Sequence, residues 1–144
     1  MGKVSIIYWS GTGNTEAMAA AMVEGAKEAG AEVELLTVDK ADAAALSEAK
    51  AFALGCPAMG AEVLEEGEME PFMAELDSQI AGKTIALFGS YGWGGGEWMR
   101  DWESRVVSDG AAVLSGEGII ADNAPDDDVL AECRAAGAKL AALV

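Results

Sequence analysis

The chain has no histidine, two cysteines, three prolines and nine cationic side chains in 144 residues. Each shortage excludes something. Without histidine there is no Ser-His-Asp or Cys-His catalysis, and the commonest zinc ligand is missing. Cys56 and Cys133 stand far apart, so they form neither a CxxC redox pair nor a thiolate metal site. Nine Lys and Arg against 25 Asp and Glu leave a net charge of −16. Nucleic acid and membrane surfaces call for a basic stripe, which this chain cannot supply. No apolar run approaches the ~20 residues of a membrane span, and the N-terminal residues carry no export signal. With only two isolated cysteines, the expected setting is the reducing cytoplasm.

What is present is apolar and regularly patterned. Hydrophobic residues make up 51% of the chain, enough for a packed core, and the length suits one domain, residues 1–144. Val4–Trp9 is a β-rich run that stops at Ser10-Gly11-Thr12-Gly13. From Thr15 to Ala29 helix formers dominate, with Met18, Met22, Gly25 and Ala29 on one face and Gly30 beyond as a C-terminal cap. Val33–Val38 reads as a second strand, and Asp42–Ala49 as a weak helix with Asp42 as N-cap. Ala51–Cys56 is an apolar strand halted by Pro57. Pro71–Ile80 reads as a helix, Thr84–Phe88 as a fourth strand, and Trp98, Trp102 and Val106 share a helix face. Ala111–Ile120 is the expected fifth strand, and Asn123-Ala124-Pro125 a turn. Asp126 caps a last helix with Val129, Cys133, Gly137 and Leu140 inward.

This is βα repeated five times, with continuously apolar strands of the kind buried on both faces of a parallel sheet. Five strands are too few for a closed barrel. The expected fold class is therefore α/β, a three-layer doubly wound five-stranded parallel sheet. Ligands of such sheets sit beyond the carboxyl ends of the strands, where three loops converge: residues 10–15, 57–67 and 89–96.

The first loop, Ser10-Gly11-Thr12-Gly13-Asn14-Thr15, passes directly from strand to helix. Its glycines let backbone N–H groups turn inward, and the helix N-terminus adds its positive dipole end. Four of its six side chains are hydroxyls or amides. The dinucleotide fingerprint fails because its third glycine falls at Glu16, and the Walker loop fails for want of a lysine. A single terminal phosphate, as in a mononucleotide, needs neither.

Three segments together, Tyr8-Trp9-Ser10-Gly11-Thr12-Gly13-Asn14-Thr15-Glu16, Leu54-Gly55-Cys56-Pro57-Ala58-Met59-Gly60 and Leu87-Phe88-Gly89-Ser90-Tyr91-Gly92-Trp93-Gly94, resemble the FMN-binding segments of flavodoxins. The resemblance is strongest to the short-chain type of anaerobic bacteria and covers essentially the whole chain. It implies strand order 2-1-3-4-5 and non-covalently bound FMN. It further implies a low-potential one-electron carrier that cycles between semiquinone and hydroquinone, rather than an enzyme. By the same resemblance Ser10, Thr12, Gly13, Asn14, Thr15 and Ser90 hold the phosphate, with Gly11 among the cofactor-binding residues of the same loop. Trp93 stacks on the isoalloxazine ring within Tyr91-Gly92-Trp93-Gly94, and Met59 covers the other face, following Pro57 and Ala58. Met59-Gly60-Ala61-Glu62 corresponds to the turn beside the flavin N5, with Gly60 at the first central position of a type II′ turn and Glu62 receiving the flavin N3–H. Ala61 and Gly95 depart from the polar residues frequent at those places in relatives.

Between Ala51 and Gly82 there is no Lys or Arg, while Glu62, Glu65, Glu66, Glu68 and Glu70 crowd the third-strand loop. A unit charge ~10 Å from a flavin costs its further reduction roughly 1.7 kcal/mol at an effective dielectric of ~20, on the order of 70 mV for one electron. The same acidic face suits redox enzymes with basic docking patches. The chain is expected to be a monomer. The competing reading is an FMN-dependent NAD(P)H oxidoreductase acting on quinones or flavins. Cys56 and Cys133 are expected to be buried small hydrophobes.

Overall fold

The computed structural model describes residues 2–9, 11, 13–59 and 62–144. Among these residues six strands and five α-helices follow in the order β1 (Lys3–Tyr8), α1 (Asn14–Glu28), β2 (Glu32–Thr37), α2 (Ala43–Leu46), β3 (Ala51–Gly55), α3 (Met69–Leu76), β4 (Thr84–Tyr91), α4 (Glu97–Ser108), β5 (Ala112–Val113), β6 (Ile119–Asp122) and α5 (Asp127–Ala141). The sheet order is β2-β1-β3-β4-β5, with β6 also pairing β4, and every pairing is parallel. The 2-1-3-4-5 arrangement expected from the sequence is present.

Both sheet faces are apolar, as the continuous strand runs require. On one face Ile7, Phe52, Leu54, Ile85 and Leu87 pack with Met69, Met73, Trp98 and Trp102 of α3 and α4. On the other, Val4, Ile6, Tyr8 and Phe88 meet Met18 and Met22 of α1 and Cys133 and Leu140 of α5. The strand residues on this second face include Ala51, Ala53 and Ala86, whose small side chains let the helices lie close. The helices also lie close to each other. A Cβ at Gly25 would fall 1.9 Å from the Arg134 carbonyl oxygen, and one at Gly137 2.1 Å from that of Met22.

Three expectations are corrected. The fifth strand is not continuous over Ala111–Ile120. It breaks at a 3-10 turn, Leu114–Gly116, where Ser115 has φ 63° and Gly116 φ 86°. The cause is non-local: Gly118 donates its amide to Glu103 Oε2 at 2.7 Å, and a Cβ there would strike the Met99 sulfur at 2.3 Å. The weak helix ends at Leu46 rather than Ala49. Asp42 does cap it, accepting from the Ala44 amide at 3.0 Å, but Lys83 Nζ takes the carbonyls of Ser47 and Ala49 at 2.8 and 2.6 Å, which terminates it. Helix α3 begins two residues before Pro71 and stops at Leu76. The Glu65 carboxylate captures the amides of Glu68 and Met69 at 2.7 and 3.0 Å and starts the helix there.

Candidate functional site

The carboxyl ends of β1, β3 and β4 open onto one cleft of about 280 Å³, walled by Trp9, Gly11, Asn14, Pro57, Ala58, Met59, Ser90, Tyr91, Gly92, Trp93 and Asn123. Nine of these belong to the seventeen positions singled out from the sequence, and they come from all three loops. Gly13 and Thr15 lie directly behind, at the start of α1. Gly13 takes the N-cap position with φ 95°, a left-handed conformation that favours glycine, and its carbonyl receives the Ala17 amide at 3.0 Å. Thr15 is buried, and its hydroxyl accepts from the Ser90 amide at 3.4 Å. The Ser90 carbonyl in turn receives the Ala58 amide at 3.0 Å. One strand end thus ties the other two loops together. Ser10, Thr12, Gly60 and Ala61 lie outside the described residues, and with them the expected turn centred on Gly60.

Glu62 and Gly94 are not on the cleft wall. Met59 and Val63 pair in both directions, at 2.9 and 3.0 Å, across a three-residue loop. Glu62 closes that loop at φ 57°, and its Oε1 accepts from the amides of Gly96 and Glu97 at 3.2 and 3.1 Å. A Cβ on Gly94 would lie 2.4 Å from the same carboxylate. Gly95 meets nothing where a side chain would stand, so no packing demands a glycine there.

Two wall residues were not assigned a role from the sequence. Trp9 follows β1, and its indole N–H donates to Glu68 Oε1 at 3.0 Å. Asn123, at φ 61°, hangs from the Tyr91 carbonyl by its amide at 2.7 Å. Trp9 stood in the motif already. Asn123 carried only a turn signal, because its place beside Gly92 depends on the pairing of β6 with β4.

Among the described residues the wall carries no Lys or Arg, and the rings of Trp9, Tyr91 and Trp93 line it together with Asn14, the first residue of α1. The neighbouring glutamates are less concentrated than the sequence suggested. Partial burial raises the Glu65 carboxyl, but the amides of Met69, Glu68 and Gly67 outweigh it and hold the group below the usual carboxylate range. Arg105 reaches across from α4 to bind Glu70 at 2.8 Å and Asp77 at 2.7 Å, so one acid of the crowd is neutralised. Cys56 and Cys133 are fully buried as expected, and burial pushes both thiols up to about 12.

A larger groove of about 570 Å³ lies where the four-residue α2 fails to cover β1 and β2. Its three lysines, Lys3, Lys40 and Lys50, face three acids, Glu34, Asp42 and Glu48, and it has no aromatic lining. Its described lining lacks the rings that mark the rim cleft, and the helix whose start it meets at Asp42 is only four residues long.

The family model for flavodoxin matches residues 6–137. The chain belongs to the flavodoxin family. It is 48% identical over 124 residues to the flavodoxin of Clostridium beijerinckii, covering 86% of this chain and 89% of that one. It is 46% identical over 135 residues to the flavodoxin of Megasphaera elsdenii, covering 92% and 98%. The solution structure of two-electron reduced Megasphaera elsdenii flavodoxin superposes with a TM-score of 0.86 at 44% identity, over 94% of this chain and 98% of that one. Family membership makes this flavodoxin an FMN electron carrier rather than a catalyst. Among the described residues, no helix is long and apolar enough to cross a membrane.

The residues present fit that cofactor. A glycine-turned helix start supplies dipole and N–H groups for a phosphate without a cation. Tyr91, Trp93 and Trp9 supply flat surfaces for a flat ring, and Met59 a polarizable thioether.

Proposed function

We propose that this protein is a monomeric, single-domain, low-potential carrier of single electrons, working between the half-reduced and fully reduced forms of non-covalently bound FMN. Bound FMN supplies the redox chemistry, and the protein supplies its position and its electrostatic surroundings. Asn14, Thr15, Gly13, Gly11 and Ser90 would hold the phosphate, joined by Ser10 and Thr12. Trp93 and Met59 would flank the ring, with Pro57, Ala58, Tyr91, Gly92 and Gly94 shaping the slot and Glu62, Gly60 and Ala61 forming its N5 side. The observation that carries the reading is the rim cleft itself: Asn14 at the start of α1 and the rings of Trp9, Tyr91 and Trp93 line one cleft, with no cation among its described lining residues. A phosphate and electrons held without compensating positive charge favour a low potential.

The acidic surface around Glu66 and Glu68 would dock on basic patches of redox enzymes in the cytoplasm. An anaerobic dithionite titration of the FMN-loaded protein tests the function. The expected result is a transient long-wavelength absorbance band, followed by a second step at much lower potential. Direct two-electron bleaching without the band, with steady NAD(P)H oxidation by the protein alone, would instead establish an NAD(P)H:quinone or flavin oxidoreductase. Absence of FMN uptake would remove the reading altogether.

A further inference from the structure

We propose that Glu62 is a positioning residue that latches the Met59–Val63 hairpin to the loop bearing Trp93 by capping helix α4 from outside that helix. The first amides of any helix lack partners within it, and α4 starts behind Gly96, which has no side chain to offer. Glu62, 34 residues earlier, fills that need. Its Oε1 accepts from Gly96 at 3.2 Å and from Glu97 at 3.1 Å, and its negative charge faces the positive end of the helix dipole.

Two further observations show that the surroundings are built for this carboxylate. Glu62 holds φ 57°, a left-handed conformation costly for a residue with a Cβ. Gly94, at φ 83°, leaves open the space the carboxylate occupies, since a Cβ there would lie 2.4 Å from Glu62 Cδ and 2.5 Å from Oε1. The helix is anchored in turn, because the Trp98 indole N–H donates to the Cys56 carbonyl at 3.0 Å.

The consequence rests on the FMN reading. Met59 opens the hairpin that Glu62 closes, and Trp93 immediately precedes Gly94. The two side chains proposed to flank the ring are therefore held in register by one carboxylate. The helix amides engage a single oxygen, so a ring donor would complete the carboxylate's partners instead of displacing them.

The test compares wild type with Glu62→Ala and Glu62→Gln by amide hydrogen exchange and by the indole N–H resonance of Trp93, without FMN and then with it. Without FMN, the alanine variant should exchange Gly96 and Glu97 about tenfold faster or more, with a shifted Trp93 indole signal and unchanged exchange in the last turn of α4. The glutamine variant keeps a neutral acceptor, and charge-assisted bonds are roughly twice as strong as neutral ones. It should therefore fall between the other two, a partial rescue that loss of bulk alone would not produce. With FMN, dissociation should quicken in the same order. Exchange at Gly96 and Glu97 within twofold of wild type in both variants would overturn the latch. The first readout needs no FMN, so a protein that fails to bind FMN would refute the carrier reading while leaving the latch to its own result.

Discussion

The Thr15 hydroxyl accepts a 3.4 Å hydrogen bond from the backbone amide of Ser90, 75 residues away, and both residues are buried. The contact couples the start of α1 to the end of β4, and it leaves the hydroxyl proton available to a phosphate. Thr15→Val preserves shape but leaves the Ser90 N–H without its acceptor, which costs about 1–3 kcal/mol for a buried donor; the length of the bond places the loss toward the lower figure. FMN affinity should fall about tenfold or more, since a hydrogen bond to a charged phosphate is worth about 1.5–3 kcal/mol and the cradle also loosens. Thr15→Ser should retain most of both quantities. Urea denaturation of the FMN-free protein and fluorescence titration with FMN measure the two separately.

The contact between α1 and α5 makes a second prediction. Gly137→Ala would place a methyl 2.1 Å from the Met22 carbonyl oxygen, and backbone cannot rotate away as a side chain can. Overpacking of this kind costs about 1–3 kcal/mol, against which the better helix propensity of alanine returns less than about 1 kcal/mol. The expected net result is a lower urea midpoint with an unchanged m-value. A midpoint equal to or above wild type would mean that the helices can separate without penalty.

Those two glycines show how much of the fold was legible. Gly25 and Gly137 fell on inward helix faces by spacing alone, and the apolar strand runs revealed a sheet covered on both sides. Loop positions were equally readable, because Gly11, Gly13, Gly92 and Gly94 interrupt those runs where strands end. What escaped was non-local. The break in the fifth strand depends on Met99 and Glu103 pressing on Gly118, and the early start of α3 on a carboxylate at Glu65, six residues upstream of Pro71, where the helical pattern begins. Asn123 reaches the cleft only because β6 pairs with β4. Glu62 was readable as a functional acid from the family motif, but its bond to α4 spans 34 residues and leaves no periodic trace.

Acid-base behaviour at the far end of α4 makes a third prediction. Burial pushes the Asp109 carboxyl up to about 6, with the hydrogen bond and charge of Asp77 adding to it. Burial also raises Asp77, but the bonds from Arg105 outweigh it and hold Asp77 below its ordinary value. The signs are opposite. Asp109 favours the folded state fully below its ordinary pKa, and that contribution is lost as pH rises through about 6. Asp77 contributes above its ordinary pKa and loses that as pH falls. Asp109→Asn should therefore stabilise the protein at pH 7 by on the order of 1 kcal/mol, after discounting for solvent screening of a partly exposed group. The advantage should shrink as pH falls from about 6 toward 4. Thermal unfolding of both proteins across that range measures it, and a gap independent of pH would assign the effect to something other than this titration.

Trp93 and Trp98 stand five residues apart with opposite circumstances, and the contrast separates binding from packing. Trp93 is 59% exposed on the cleft rim, whereas Trp98 is 1% exposed, and its indole N–H holds the Cys56 carbonyl. Truncating an exposed side chain away from packed contacts changes stability by no more than about 0.5 kcal/mol. Truncating a buried tryptophan costs about 3–5 kcal/mol. Stacking of a flat heteroaromatic ring on an aromatic side chain is worth about 1–3 kcal/mol, roughly ten- to a hundredfold in affinity. Trp93→Ala should accordingly leave the urea midpoint of the FMN-free protein in place while weakening FMN binding by that factor. Trp98→Ala should lower the midpoint sharply, and any loss of FMN affinity should follow from unfolding. Trp93→Phe, which keeps a ring, should recover part of the affinity. If Trp93→Ala destabilised the FMN-free protein and left FMN binding intact, the residue would belong to the packing of its loop, and the ring slot would have to be sought between Tyr91 and Trp9 instead.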